Sequence, residues 1–157
     1  MWKELIEMKY SLELKTRKEL KRESLIKFEE EFYNNYEKPD DDKTDVQTTL
    51  YYAVRKSDDK IVGCIELRHT LTAELQIIGG NIGYRVLQGE RQKGYATQML
   101  KLVLEKAKQY GLKEVMLTSS IENRASISTI LRCGGVLERE EPFTYANEKY
   151  YKFWICI

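Results

Sequence analysis

The chain contains 157 residues, of which 32% are charged and 42% hydrophobic, and this predicts one domain over residues 1–157 with a single core. Lys and Arg total 26 against 25 Asp and Glu, and the net charge of +1 argues against nucleic acid or an anionic membrane as the main partner. The longest apolar run, residues 50–54, is too short to span a membrane, and residues 1–7 lack the apolar block of a secretory signal, so we expect a cytoplasmic protein.

The N-terminal part combines a strand pattern with a helical one. Apolar residues alternate with polar ones over 8–15, which predicts a first strand. Thr16 and Glu19 have the spacing of a capping box, and apolar residues then recur at helical intervals, so we predict a helix over 17–35. The acidic run at 40–42 predicts a solvated loop before the next strand.

The middle of the chain predicts three strands and the main helix. Two β-rich segments, 49–55 and 61–69, are separated by polar residues of hairpin length. Residues 77–87 are apolar and contain three glycines, which predicts a fourth strand, although the glycines are also compatible with a turn. Residues 94–110 carry a helical apolar stripe that ends at Gly111.

The last part alternates between short strands and a helix. We predict strands at 115–118, 136–138 and 150–157, and a helix over 123–132 that ends before a Gly-Gly pair. Strands separated by helices favour parallel pairing. The predicted fold is therefore mixed α/β, with a central mixed sheet of about seven strands and helices on both faces.

The residues that usually bind a metal do not form a recognisable group. Cys64, Cys133 and Cys156 have no close spacing, and His69 is the only histidine. The acidic run at 40–42 lacks the glycine and the ligand alternation of a calcium loop. We therefore expect reduced thiols and no metal site.

Residues 84–97 run from a strand through a polar loop directly into the main helix. Such a junction directs several backbone N–H groups and the positive end of the helix dipole at one place, which suits an anion. Gly94 and Ala96 leave room for a ligand, while Arg91 and Lys93 add positive charge. A pyrophosphate fits this chemistry, and a plain turn with solvated cations is the alternative. The glycine spacing matches neither a P-loop nor a dinucleotide fingerprint.

Two segments resemble the coenzyme A segments of the GCN5-related N-acetyltransferases, the GNAT family. The hexapeptide Arg-Gln-Lys-Gly-Tyr-Ala at 91–96 is similar to the family's pyrophosphate signature. Residues 122–126, Glu-Asn-Arg-Ala-Ser, open a helix that is followed by Cys-Gly-Gly at 133–135, as in the family's second segment. The resemblance covers residues 49–157 and implies a GNAT-like fold with acetyl-CoA as the acetyl donor.

The resemblance also implies which residues contact the donor. The loop would bind the pyrophosphate through backbone amides, and Val86 and Leu87 would pair their backbone with the pantetheine arm as an added strand does. Asn123 and Ser126 would contact the pantetheine or the departing thiol, unless Asn123 is only a helix cap and Ser126 a first-turn hydroxyl. The complete set implied to bind the donor is Val86, Leu87, Arg91, Gln92, Lys93, Gly94, Tyr95, Ala96, Thr97, Asn123 and Ser126.

The catalytic positions of the resembled family are not matched. The usual glutamate would fall among residues 80–82, Gly-Asn-Ile, and the usual tyrosine at Ile130. Glu66 is the candidate general base, because a hairpin between the third and fourth strands would place it near Gly80. The alternative is that Glu66 is only a charged residue beside Arg68 or at a sheet edge.

Two further side chains could move a proton. Tyr84 is the candidate to donate or relay one, with a place in the aromatic core as the alternative. His69 could act as a base, but strand alternation places it on the face opposite to Glu66.

These observations favour an enzyme, an acetyl-CoA-dependent N-acetyltransferase that acts on a primary amine of a small molecule or peptide. The absent carboxylate and tyrosine leave one alternative, a non-catalytic coenzyme A-binding sensor or interaction module with the same fold. We expect acetyl-CoA and an amine acceptor as partners, with no nucleic acid, membrane or metal, and a homodimer stays open. The sequence does not identify the acceptor.

Overall fold

The computed structural model describes residues 1–34 and 46–157. The acidic run at 40–42 and the end of the predicted helix at residue 35 lie outside the described residues. The helices are α1 (Trp2–Tyr10), α2 (Arg22–Tyr33), α3 (Ala73–Ile77), α4 (Tyr95–Gln109) and α5 (Arg124–Arg132). The strands are β1 (Leu12–Lys15), β2 (Thr48–Arg55), β3 (Ile61–Arg68), β4 (Ile82–Val86), β5 (Glu114–Ser120), β6 (Val136–Leu137), β7 (Phe143–Tyr145) and β8 (Glu148–Cys156).

The strands form two antiparallel sheets. The first has the order β1-β2-β3-β4, and in the second β8 lies between β5 and β6 and also pairs with β7. The two sheets meet at a bridge between Gly80, just before β4, and Leu117 in β5. The mixed α/β class is confirmed, with eight strands in the described residues where seven were expected. The expected parallel pairing is absent from the described ladders, because β8 inserts between β5 and β6 and so separates strands that are neighbours in sequence.

The first predicted strand, residues 8–15, is helical at residues 8–10. Only Leu12–Lys15 is a strand, and Trp2–Tyr10 is an α-helix. Over so few residues the same apolar positions satisfy both periodicities, so the pattern could not separate them. The helix ends where the Gln98 side chain donates to the Tyr10 carbonyl at 2.8 Å, a contact between residues 88 positions apart that the local sequence does not reveal.

Two other predicted elements are interrupted. The helix expected over 17–35 consists of a 3-10 turn, Arg17–Glu19, and the separate helix α2, although the Glu19 carboxylate does accept from the Thr16 N–H at 2.9 Å as the capping spacing predicts. The strand expected over 77–87 is a turn followed by β4. Gly79 and Gly80 have φ values of +96° and +62°, so the glycines mark a turn there.

Helices cover both faces of the first sheet. On β2, Tyr51 and Ala53 face α4, whereas Tyr52 and Val54 face α2, as the two-residue repeat of a strand requires. The α4 side is completed by buried Met99 and neighbouring apolar side chains of its stripe. Burying each large apolar side chain contributes roughly 1.5–3 kcal/mol, so these two layers hold β4 and the start of α4 in place.

Two kinds of feature are absent from residues 1–34 and 46–157. None of the helices there has the length and apolar composition needed to cross a membrane. Within the same ranges, no three His, Cys, Asp or Glu side chains come together as metal ligands would.

Candidate active site

A cavity of about 700 Å³ lies where β4 and β5 diverge. Side chains of α2 and β2 line one end of the cavity. The C-terminal end of β5 and the N-terminal end of α5 line the other. Its floor is formed by residues on neighbouring positions of β3 and β4, including Cys64, Glu66, Arg68 and Gly83. A single cavity therefore connects the start of α5, with the predicted donor-binding residues Asn123 and Ser126, to the face of the sheet that α2 covers.

Gly80 and Asn81 join the two sheets next to the residues that line the cavity. A Cβ at Gly80 would lie 2.2 Å from the Met116 carbonyl oxygen, so only glycine allows the two strands to approach this closely. The Asn81 side chain is 5% exposed, donates to the Arg68 carbonyl at 3.0 Å and accepts from the Met116 N–H at 2.9 Å. Asn81 thus joins β3 to β5, and the position where the resembled family places its glutamate serves here to hold the strands.

The predicted anion loop begins with a 3-10 turn, Gln88–Glu90, and ends at Gly94, the N-cap of α4. Gln92 and Gly94 have φ values of +62° and +79°, so the chain turns sharply and enters the helix with its first N–H groups unpaired by the helix itself. A Cβ at Gly94 would have no heavy atom within 4 Å. The loop therefore leaves open space at the positive end of α4, which suits the approach of a pyrophosphate.

Glu90 anchors this loop through a buried carboxylate that sequence reasoning missed. The residue is 5% exposed and accepts from Lys93 at 2.8 Å, Arg55 at 2.9 Å and Lys60 at 3.0 Å. Burial raises the pKa of the Glu90 carboxyl, but hydrogen bonds from Lys93 and Lys60 and the nearby charges outweigh it and hold the pKa at about 2. The ammonium group of Lys93, which was predicted to contact phosphate, donates a hydrogen bond to the Glu90 carboxylate instead.

Glu66 lies on the cavity floor, and its position differs from the predicted one. The strand register places Glu66 opposite Gly83 rather than beside Gly80. A Cβ at Gly83 would lie 2.9 Å from a Glu66 carboxylate oxygen, so the missing side chain makes room for that carboxylate. Arg68, the neighbour named in the alternative interpretation, donates to the Glu66 carboxylate and also to the Gly80 carbonyl at 2.9 Å.

Tyr84 connects β4 to α5 across the cavity. Its hydroxyl lies 3.0 Å from the Ser126 hydroxyl, and burial raises the pKa of the phenol. The phenol is therefore protonated at neutral pH and is able to donate a proton. His69 lies on the other face, with Nε2 2.8 Å from the Thr49 hydroxyl, as alternation predicts.

Other predicted site residues have defined surroundings. The side-chain Oδ1 of Asn123 accepts from the Ser126 N–H at 3.1 Å, so Asn123 does cap α5, and both residues line the cavity. The Leu87 N–H donates to the Val62 carbonyl, and the Leu87 carbonyl accepts from the Glu90 N–H. Both backbone groups of Leu87 are therefore hydrogen-bonded within the protein. Cys64 also lines the cavity, but burial raises the pKa of its thiol to about 11, so it is protonated at neutral pH.

The sequence matches the model of the "Acetyltransferase (GNAT) family" over residues 16–134. The chain belongs to the GNAT acetyltransferase family. The membership predicted from the sequence is thereby confirmed. None of the curated proteins matches the chain.

Solved structures share this GNAT fold. A chimera of spermidine N-acetyltransferase SpeG from Vibrio cholerae and hSSAT has a TM-score of 0.65 at 15% identity, over 92% of this chain and 95% of that one. Ribosomal-protein-S5-alanine acetyltransferase from Vibrio fischeri has a TM-score of 0.57 at 17% identity, over 86% of this chain and 69% of that one. An acetyltransferase of the GNAT family from Bacillus anthracis has a TM-score of 0.56 at 20% identity, over 68% of this chain and 65% of that one. The chain thus spans less than two thirds of the Bacillus anthracis protein, and these low identities show the fold alone.

Within the GNAT fold, the site residues that sequence reasoning missed are Asn81, Glu90 and Arg55. Each acts through a partner far away in sequence, such as Met116 for Asn81 and Lys60 for Glu90. Glu90 did carry one weak signal, since a carboxylate three residues before Lys93 in a basic loop is spaced for a local ion pair. The burial that makes the pair strong comes from the tertiary fold.

Proposed function

We propose that the protein transfers an acetyl group from acetyl-CoA to a primary amine of a small molecule or peptide. The observation that carries this proposal is the cavity between β4 and β5, which is lined by Glu66 and by the predicted donor-binding residues Asn123 and Ser126. The strand β4, which also lines this cavity, leads through Leu87 into the Gly94 loop. The loop is open where a pyrophosphate would bind, and the cavity continues towards α2, where an acceptor has room.

The substrate ammonium loses two protons in all, one before it attacks and one as the amide forms, and the leaving sulfur gains one, so one proton is released to solvent. Acetyl-CoA supplies a thioester, whose C–S bond breaks as the new C–N bond forms. Glu66 accepts a proton from the substrate ammonium, directly or through one water, while Arg68 orients its carboxylate. Tyr84 donates a proton towards the sulfur, and the Ser126 hydroxyl beside it fixes the direction of the phenol.

The loop residues bind rather than react. Amides of residues 91–96 and the positive end of α4 receive the pyrophosphate, and Arg91 adds charge at the same place. Among the described strands only β3 pairs with β4, and the pantetheine arm adds along the other edge of β4 as a further strand would, where the Val86 carbonyl accepts from Arg91 Nε at 3.4 Å. Asn123 contributes its carboxamide from the start of α5, because its carbonyl oxygen alone serves the cap.

A second function is a coenzyme A-binding module without catalysis. It is favoured by the engagement of Glu66 with Arg68 and by the structural role of Asn81 where the family's glutamate would be expected. Ile130, at the place of the expected tyrosine, is fully buried in the core and donates no proton. A cytoplasmic location and a homodimer remain predictions from the sequence.

The test measures binding and turnover separately. Calorimetry with acetyl-CoA is compared for the native protein, Gly94→Glu and Gly111→Glu. Gly111 is a matched control, because it also has a positive φ, no heavy atom within 4 Å of an added Cβ, and lies beyond the opposite end of α4. Thiol release is then followed across amino acids, polyamines, aminoglycosides and peptide N-termini, since the solved relatives are named for different acceptors.

We expect acetyl-CoA to bind the native protein and Gly111→Glu but not Gly94→Glu, because the new carboxylate occupies and repels the pyrophosphate site. Thiol release with any one amine class supports the enzyme. Binding without thiol release on every amine supports the module instead. Equal affinity of the two glycine variants would show that the donor does not bind at this loop.

A further inference from the structure

The anion loop is attached to the β2–β3 hairpin on both sides. Before the loop, Glu90 accepts from Arg55 Nη1 at 2.9 Å. After the loop, the hydroxyl of buried Tyr95 accepts from the same Nη1 at 3.1 Å. Asp58 fixes the guanidinium through two further hydrogen bonds, at 2.8 Å to Nε and 2.6 Å to Nη2. One guanidinium therefore sets the distance between the two ends of the loop.

Glu90 adds two further attachments. Lys60, just before β3, donates to one carboxylate oxygen at 3.0 Å, and Lys93 inside the loop donates to the other at 2.8 Å. The loop contains a left-handed residue that is not glycine, Gln92, a conformation that costs free energy and persists only where the surroundings hold it. The Glu90 contacts supply such surroundings.

We propose that Glu90 and Arg55 are positioning residues that hold the loop of residues 91–94 in the shape that receives the pyrophosphate of the acetyl donor. The inference rests on the proposed function, because it assumes that this loop is the donor site. Neither residue lines the cavity, and both act through the loop. A preorganised loop binds more tightly, because the entropy of ordering it is lost on folding and not on binding.

Charge alone predicts the opposite result for one substitution. Glu90 lies among three cations, so Glu90→Gln makes the loop region more positive by one charge. If the region acted only by attracting an anion, this change would strengthen pyrophosphate binding. If Glu90 holds the loop, binding weakens despite the added positive charge. The direction of the change therefore separates the two roles.

The test compares ligands with and without the pyrophosphate. The affinity of coenzyme A is measured by calorimetry, and that of pantetheine by shifts of amide NMR signals, for the native protein and Glu90→Gln. We expect coenzyme A to bind about tenfold more weakly to Glu90→Gln, with the affinity of pantetheine unchanged. Glu31→Gln is the matched control, since Glu31 also contacts Lys60, at 3.7 Å, but is on α2. We expect this control to bind both ligands as the native protein does.

Other results would overturn the inference. Unchanged or tighter binding of coenzyme A to Glu90→Gln would show that the contacts are only structural, and an equal loss for both ligands would show general damage. If Glu90→Gln does not fold, Tyr95→Phe replaces it, because that variant removes only the hydroxyl that Arg55 contacts. We expect the same selective loss there, in smaller degree. Failure of the native protein to bind coenzyme A would refute the proposed function, which is a different outcome.

Discussion

Replacing Gly80 by alanine tests how the two sheets create the cavity. Gly80 has a φ of +62°, and the bridge between the sheets runs from this residue to Leu117. An added Cβ would lie 2.2 Å from the Met116 carbonyl oxygen and 2.7 Å from its carbonyl carbon. Both atoms are backbone, so the overlap cannot be relieved by turning a side chain. The strands must move apart.

The cost has two parts that can be added. A left-handed backbone conformation costs an alanine roughly 1–2 kcal/mol relative to glycine. Overlap that forces backbone shifts in a packed site costs typically about 1–3 kcal/mol more. Gly111→Ala is the matched control, because its φ is +86° and no heavy atom lies within 4 Å of an added Cβ. Gly111→Ala should therefore be destabilised only by the cost of the left-handed conformation.

Urea unfolding followed by tryptophan fluorescence measures the difference. With a slope of about 2 kcal/mol per molar urea, Gly80→Ala should unfold about 1 M or more below the native midpoint, and Gly111→Ala at about half that shift. Binding of acetyl-CoA should weaken in Gly80→Ala and remain native in Gly111→Ala, since only the first widens the junction beside the cavity. Equal midpoints for the two variants would refute the view that close approach at Gly80 holds the sheets together.

Three further predictions address the site. Asn123→Asp keeps the cap acceptor but adds a charge and removes the amide donor, so calorimetry should show weaker acetyl-CoA binding with an unchanged unfolding midpoint; native affinity would leave Asn123 a cap only. Glu66→Gln should lower thiol release by roughly 100-fold with acetyl-CoA affinity unchanged, and native turnover would exclude Glu66 as the base. The Glu90 carboxyl has a pKa of about 2 in the folded protein against its ordinary value of 4.5, so it stabilises the fold above pH 4.5 and this stabilisation, about 3 kcal/mol, is lost as the pH falls towards 2. Urea unfolding at pH 5 to 2 should show a steeper loss in the native protein than in Glu90→Gln, which keeps the contributions of other carboxylates such as Asp58, and parallel pH dependences would contradict it.

The sequence predicted best what depends on local periodicity. The helical stripe of α4 and the β-rich segments of β2 and β3 each extend over seven or more residues, and these predictions are confirmed within one or two residues. The strand–loop–helix junction at Gly94 was equally visible, because it needs only a glycine between two strong patterns. Short segments failed, as for residues 8–10, which satisfy a helical and a strand pattern together.

The site was less predictable because its geometry depends on distant partners. A hairpin was expected between β3 and β4, but α3 and the Gly79–Gly80 turn lie between them, and this moves the register so that Glu66 faces Gly83. No local pattern reports such a shift. The burial of Glu90 is equally invisible in sequence, since it requires Arg55 and Lys60 from another hairpin. The sequence allowed a chemical role to be assigned to each segment. It did not reveal which distant residue would pair with each charged side chain.

Hydrogen bonds between distant residues connect the predicted base, Glu66, to the residues at which the two sheets meet. Arg68 donates to the Glu66 carboxylate and to the carbonyl of Gly80, the residue at which the sheets meet. Asn81 accepts the Met116 N–H and donates to the carbonyl of Arg68 itself. A residue that orients the carboxylate is thus held by the residues that set the opening between β4 and β5. Because the two are mechanically connected, a change in Arg68 would alter both proton transfer and donor binding, whereas a change in Glu66 leaves the Gly80 contact intact and isolates the proton step.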